Sequence, residues 1–326
     1  MTSLSPVRGH FRPTLVAVAH GSRDPRALPA VRALLERVRA ARPGVDVRLG
    51  HVELNEPLLA DTLAALRGGR GRGEVVLVPL LLSRGHHVKH DLPAALAAAP
   101  WLHGTVAAPL GPHPLLTDVL HARLQEAGWP APDTEPAAPG TRAAQTPLTP
   151  AAVVAGQALS AGASAEVGQT APSSMTAPTQ VRPATAATRF HHPGTADPRP
   201  AAVVLAAAGS RDADSGRDTV RAAALLAGRL GVPVVPAYAS AAAPSVPDAV
   251  DGLAALGIDP RRIAVASYFT APGRFAGQTA AAAPWIAAAP LGPHEAMARL
   301  VLHRYDEAAR ALRTSAAPPR PFARAS

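Results

Sequence analysis

The sequence predicts an α/β protein: two tandem domains, each a parallel sheet flanked by helices, joined by a disordered Pro/Ala-rich linker. Three observations predict it. Short continuous apolar runs alternate with amphipathic stretches, as expected of strands covered on both faces and of the helices that cover them. The alternation stops near residue 129, resumes at 201, and its second run repeats the first. Between the two, residues 129–200 are dominated by Pro, Ala, Thr, Ser and Gln with few charges, too little apolar surface to offset the entropy of ordering a chain.

Thr14–Ala19 is an apolar run that reads as the first strand, broken by His20-Gly21-Ser22-Arg23-Asp24-Pro25. Leu28 to Ala41 reads as a helix, with Leu28, Val31, Leu34, Leu35 and Val38 on one stripe and Arg42-Pro43-Gly44 as its stop. Val45–Val52 is the second strand, running into Glu53-Leu54-Asn55-Glu56-Pro57, and Leu58–Leu66 is the second helix. The Gly-rich run at 68–73 precedes a strand instead of opening a helix, so it reads as a turn and not as a phosphate cradle. Val75–Leu82 is the third strand and Lys89–Ala99 the third helix. A short strand at Gly104–Ala108 and a helix at His113–Ala127 close the unit.

The second run restates this plan. Val203 to Asp212 matches Leu15 to Asp24, with Gly-Ser-Arg-Asp identical. Val234–Ser240 mirrors the second strand, Ile263–Thr270 and the Gly273 turn mirror the third, and Ala-Ala-Pro-Leu-Gly-Pro-His recurs at 107–113 and 288–294. The expected boundaries are a first domain at 1–128, a linker at 129–200, a second domain at 201–312 and a flexible tail at 313–326.

Composition excludes several classes. There is no cysteine, hence no disulfide, thiolate zinc site or Cys-ligated cluster. Any metal must meet His, carboxylate or water ligands. No stretch approaches the roughly 20 apolar residues of a membrane span, and Met1 to Arg12 lacks a signal-peptide core, so a cytoplasmic location is expected. The net charge is +9, but no Lys/Arg block carries interleaved aromatics, and a nucleic-acid partner is not expected. Aromatics make up only 3%, which leaves the packing to Ala, Val and Leu.

The repeat supplies an internal comparison. His20 falls opposite Ala208, Glu53 opposite Ser240, His87 opposite Phe275 and Asp91 opposite Thr279. The second copy keeps Gly-Ser-Arg-Asp, the turn glycine and Leu-Gly-Pro-His, and loses ionisable groups. What can be lost while the fold persists was not needed for folding. His20, Glu53 and His87 are thereby singled out, each just past the end of a different strand, where open parallel sheets bind ligands. His113 and His294 are cast as structural, His51 as a packing residue, and His86 and His90 as accessories of His87. Arg23, repeated as Arg211, suggests a structural ion pair.

The motifs Ala-His-Gly-Ser-Arg (19–23), Val-Glu-Leu-Asn-Glu-Pro (52–57), Gly-His-His-Val-Lys-His-Asp-Leu-Pro (85–93) and Ala-Pro-Leu-Gly-Pro-His (108–113) resemble those of the class II chelatases of tetrapyrrole biosynthesis. Within that family the likeness is to sirohydrochlorin cobalto- and ferrochelatases. The resemblance covers residues 14–127 and, as a degenerate copy, 201–310. It implies tandem flavodoxin-like, chelatase-like domains; two halves in one chain could pack as an internal pseudo-dimer, and a homo-oligomer is equally open. It implies His20 and His87 as the catalytic, metal-binding pair with Glu53 assisting. The substrates would be a tetrapyrrole and Co²⁺ or Fe²⁺, with Ni²⁺ also admitted by such ligands, and no tightly bound cofactor. Arg23, Arg84 and Lys89 are candidates to meet the substrate's carboxylates. The alternatives are a non-catalytic metal or tetrapyrrole carrier, and a nucleotide-binding module. The latter is disfavoured because no G-x-G-x-x-G joins a strand to a helix.

Overall fold

The structure, a computed structural model, describes residues 12–68, 73–130 and 200–315. Most of the expected linker and the end of the expected tail lie outside these residues. The first half comprises β1 (Thr14–Ala19), α1 (Ala27–Ala41), β2 (Val47–His51), α2 (Leu59–Ala65), β3 (Glu74–Pro79), a π-turn (His87–Asp91) running into α3 (Leu92–Ala97), β4 (His103–Val106) and α4 (Pro114–Glu126). The second comprises β5 (Ala202–Ala207), α5 (Ala213–Leu230), β6 (Val234–Tyr238), α6 (Val246–Ala255), β7 (Ile263–Ser267), α7 (Arg274–Ala281), β8 (Ile286–Ala287) and α8 (Glu295–Ser315). Each half holds one parallel four-stranded sheet, ordered β2-β1-β3-β4 and β6-β5-β7-β8. None of the described helices is long and apolar enough to cross a membrane.

Strand periodicity divides the interior into layers. Leu15, Ala17 and Ala19 of β1 face one core, Val16 and Val18 the other. The outer core of the first sheet is closed by Leu59, Leu63 and Leu92, and that of the second by Val246, Val250 and Leu253. The inner core is common to both halves: α1, α4, α5 and α8 are sandwiched between the sheets in one cluster of buried side chains.

Within that layer the terminal helices are exchanged. α4 follows the first sheet but packs on β7 and α5, whereas α8 packs on β3, β4 and α1. Polar contacts fix the exchange. The buried Tyr305 hydroxyl donates to the Pro13 carbonyl at 2.7 Å, Arg42 forks onto Asp306 at 3.0 Å, and Arg123 donates to the Leu291 carbonyl at 2.9 Å. Burial, with Asp306 nearby, pushes the Tyr305 phenol up to about 12. The two halves therefore form an internal pseudo-dimer with interlocked ends.

The structure revises several expectations. The third strand stops at Pro79, opposite Val18 and one residue short of the end of β1. The third helix starts earlier and is irregular. Pro93 has no N–H for the Lys89 carbonyl and crowds it, and the Leu92 N–H reaches back five residues to the His87 carbonyl. Ala281 stands opposite Pro93 in the repeat, and α7 is a regular α-helix there. Trp129, placed in the linker, is buried with its ring 6.3 Å from that of Trp285. α8 runs to Ser315, beyond the expected boundary at 312. Leu28 is only half-buried and lines a cavity instead of the core.

His113 and His294 are structural. Each caps a helix through Nδ1, which accepts the N–H of Leu115 or Ala296 at 3.1 Å. An accepting Nδ1 cannot carry a proton, and burial in addition holds both imidazoles below the usual value, with Arg304 and His303 acting at His113 and Arg123 at His294. Burial lowers His51 and His121 too.

Two predictions follow from this packing. Neutral imidazoles favoured by folding add stability that is complete above the ordinary value of 6.5 and drains as the pH falls below it. The thermal midpoint of the wild-type chain should therefore drop on going from pH 7 to 5.5. His113→Asn with His294→Asn, which keeps an N-cap acceptor, should reduce that drop, as followed by circular dichroism. Secondly, residues 1–130 alone leave the inner face of their sheet uncovered. They should not persist as a folded monomer but self-associate, each copy's α4 taking the place of α8 in the other. Sedimentation as a well-folded monomer would contradict the exchange.

Candidate active site

In the order β2-β1-β3-β4 the chain leaves β1 to one side for β2 and returns to the other for β3, which makes the C-terminal ends of β1 and β3 a topological switch point. His20 directly follows β1. Glu53 is fastened beside it because the parallel ladder continues past the strands: Val52 N–H donates to the Ala19 carbonyl at 2.9 Å, and Glu53 N–H to the His20 carbonyl at 3.0 Å. This approach requires Gly21, which has φ +102° and where a Cβ would sit 1.8 Å from the Glu53 carbonyl oxygen. The Asn55 carboxamide oxygen accepts the Ser22 N–H at 2.7 Å and ties the same two loops again. Glu53 Oε1 lies 3.7 Å from His20 Nδ1.

His87 arrives from the other side, on the π-turn. The irregular turn places Asp91 Oδ2 2.6 Å from His87 Nδ1. In the neutral ring, an acceptor carboxylate there favours the Nδ1–H tautomer, whose Nε2 carries the lone pair. The His20 and His87 rings meet edge to face, centroids 4.9 Å apart and planes at 84°. Two imidazoles, each beside its own carboxylate, thus converge from two strand ends. Among the described residues, no three His, Asp or Glu side chains are grouped to hold a metal ion by themselves.

The imidazole pair opens into a cavity of about 860 Å³, at the upper end of small-molecule sites. Its far wall comes from the second half: Ala208 and Phe275, opposite His20 and His87 in the repeat, with Phe269, Pro272 and Arg274. The two switch points face one another and merge into a single site.

The expected cations divide. Arg23 lines the cavity and is exposed. The neighbouring Asp24 pairs with Arg26 instead, at 2.8 Å, and that guanidinium holds its carboxyl below the usual range. Arg84 and Lys89, expected at substrate carboxylates, are engaged across the interface. Arg84 grips the buried Asp218 at 2.7 Å, and the Lys89 ammonium contacts Asp212 and Asp214, each at 2.7 Å. Lys89 and then Arg217 hold the Asp214 carboxyl at about 2. The reason is positional: both cations face the acidic start of α5. His51 is buried, its Nδ1 3.1 Å from the Pro57 carbonyl. The His86 and His90 rings lie side by side, centroids 4.8 Å apart and planes tilted by 40°, and His86 also borders the cavity.

Sequence reasoning passed over Asp91, Phe269, Phe275 and Arg274 as site residues. For Asp91 the signal was present, a carboxylate four residues after His87. The wall residues carry no chemical signature of their own and are found through the packing of the halves.

Comparison with known proteins agrees with this architecture. SirB from Bacillus subtilis, solved with Fe³⁺, superposes with a TM-score of 0.59 at 20% identity, covering 91% of this chain and 96% of that one. SirB from Bacillus subtilis subspecies spizizenii, in complex with cobalt, gives 0.57 at 19% identity, covering 92% and 96%. Fold and site together thus define a two-halved α/β protein with the chelatase fold. More particularly, the chain belongs to the CbiX family, which it matches over residues 14–127 and 202–308. Among relatives, the sirohydrochlorin cobaltochelatase of Methanosarcina acetivorans is 29% identical over 124 residues, 35% of this chain and 95% of that protein. The chloroplastic sirohydrochlorin ferrochelatase of Arabidopsis thaliana is 33% identical over 115 residues, 34% of this chain and 51% of that one.

Gly21→Ala tests the frame. The positive φ costs on the order of 1–3 kcal/mol for a non-glycine residue, and the clash with Glu53 adds to it. The variant should melt well below the wild type, whereas Gly44→Ala, where a Cβ meets nothing within 4 Å, should change little.

Proposed function

We propose that this chain inserts a divalent metal, Co²⁺ or Fe²⁺, into sirohydrochlorin, using the site in its N-terminal half. The observation that carries this reading is the pair of carboxylate-backed imidazoles, His20 with Glu53 and His87 with Asp91, facing each other at one end of a macrocycle-sized cavity. The relatives named for this activity support it.

Metal insertion exchanges two pyrrole N–H protons for one M²⁺. The chain must hold the ring, offer the metal nitrogen ligands while its water is stripped, and accept two protons. His87 presents Nε2, since Nδ1 is committed to Asp91. His20 and His87 bind the incoming substrate metal as neutral imidazoles and take up the pyrrole protons as it passes to the ring. Glu53 and Asp91 stabilise the resulting imidazolium ions. A site with only two imidazoles suits a metal that must leave, because a closed three- or four-ligand set would retain it. The ring rests on Phe269 and Phe275, and Arg23 and Arg274 at the cavity's edge meet its carboxylates. The same ligands accept Ni²⁺, and no resident cofactor is invoked.

The test is the optical rate of Co²⁺ insertion into sirohydrochlorin. His20→Ala and His87→Ala should each lower it by about 10²-fold or more, and Asp91→Asn by about 10- to 100-fold. Unchanged rates in both histidine variants would sink the proposal. Binding that saturates at one equivalent without turnover under excess substrate would point to a carrier instead.

A further inference from the structure

Lys89 is the only lysine in a sequence with 31 arginines. It sits inside the π-turn, between His87 and Asp91. Its ammonium lies 2.8 and 2.7 Å from the two oxygens of Asp212 and 2.7 Å from Asp214 Oδ2, all in the second half. A compact ammonium can satisfy two carboxylates at once, where a planar guanidinium prefers one. Six residues earlier the same loop is fastened again: Ser83 Oγ meets Ser215 Oγ at 2.8 Å, and the Arg84 backbone N–H donates to Asp218 at 2.9 Å.

The opposite loop is tied across by neutral hydrogen bonds, from Tyr268 and Thr270 to the Leu82 and Leu80 carbonyls, but the repeat shows that the ion pairs are one-sided. Opposite Lys89, Arg84 and Ser83 stand Gly277, Pro272 and Ala271; opposite Asp214, Ser215 and Asp218 stand Arg26, Ala27 and Ala30. Only Asp212 keeps its counterpart, Asp24, and that carboxylate is taken up by Arg26 in its own half. The ion pairs therefore hold the histidine-bearing loop and have no equivalent on the loop bearing Phe275.

We infer that the second half takes part in catalysis as a clamp: Asp212 and Asp214 grip Lys89 and so hold the π-turn that aims His87. Lys89 is a positioning residue, reaching the substrates only through His87. The inference rests on the metal-insertion reading for its kinetic test, and on structure alone for its second test.

The kinetic test compares Lys89→Met, Lys89→Arg, Asp212→Asn/Asp214→Asn and their combination with Lys89→Met in Co²⁺ insertion. Lys89→Met should lower kcat about 10-fold, with KM for the macrocycle changed less than about twofold. Lys89→Arg, which keeps the charge but suits one carboxylate better than two, should recover only part of the loss. Adding the double Asn change to Lys89→Met should cost little more, because both sides of one contact are already gone. The structural test reads the His87 imidazole proton resonances, assigned by their loss in His87→Ala: Lys89→Met should shift or broaden them. Unaltered kcat with an unaltered His87 signal overturns the clamp, as does a loss that falls on KM alone. A wild-type chain that inserts no metal, yet shows the shifted His87 signal in Lys89→Met, overturns the chelatase reading and leaves the clamp standing.

Discussion

The exchange of the terminal helices is the constraint on which the rest of the molecule depends. Each sheet must cover two apolar faces. The outer one is covered locally, by helices that immediately follow their strands. The inner one is completed by a helix from the other half, with Tyr305 and Arg42 anchoring α8 to the first half and Arg123 anchoring α4 to the second. Neither half closes its core alone, so the halves cannot slide or part without opening a continuous hydrophobic cluster. That rigidity is what allows a cavity to be built from two facing sets of loops.

The same constraint explains which residues the second copy kept. Gly209, at φ +88°, lets β5 and β6 approach as Gly21 does for β1 and β2; a Cβ on either would lie 1.8 Å from a carbonyl oxygen. His294 caps α8 as His113 caps α4. These residues serve the frame, which both halves must maintain. The imidazoles at 20 and 87 do not serve it, and Ala208 and Phe275 fill their places without disturbing the strands.

Much of this was legible in sequence because it is written locally. The apolar runs mark the strands, the stripe Val31-Leu34-Leu35-Val38 marks the buried face of α1, and the repeat points to His20, Glu53 and His87 by what is missing from the second copy. The exchange was not legible: an amphipathic stripe states that a helix is buried but not against which sheet. Nor were the roles of Arg84 and Lys89, whose partners lie more than 120 residues away. A trace was nevertheless present. Comparing the copies for residues lost finds the imidazoles; comparing them for acidic residues gained finds Asp214 and Asp218, opposite Arg26 and Ala30. The π-turn shows the same limit. Pro93 announces a broken hydrogen-bond ladder, but whether the chain kinks, stops or widens by one residue depends on what holds its other side.

On the proposed function, losing chemistry from one half is itself useful. Two intact switch points facing one cavity would place four imidazoles around a ring that has a single seat for metal. Two of them would bind metal where no ring nitrogen could receive it, and would present polar edges to the apolar face of a flat macrocycle whose carboxylates lie at its rim. Ala208 and Phe275 remove that competing site and supply an apolar wall in its place. The cost of asymmetry is that the remaining pair must be aimed without help from symmetry. The cross-half contacts of Ser83, Arg84 and Lys89, which the opposite loop lacks, stand at the loop that needs aiming. On that proposal, one half carries the reactive groups, and the other the surfaces and charges that hold them in place.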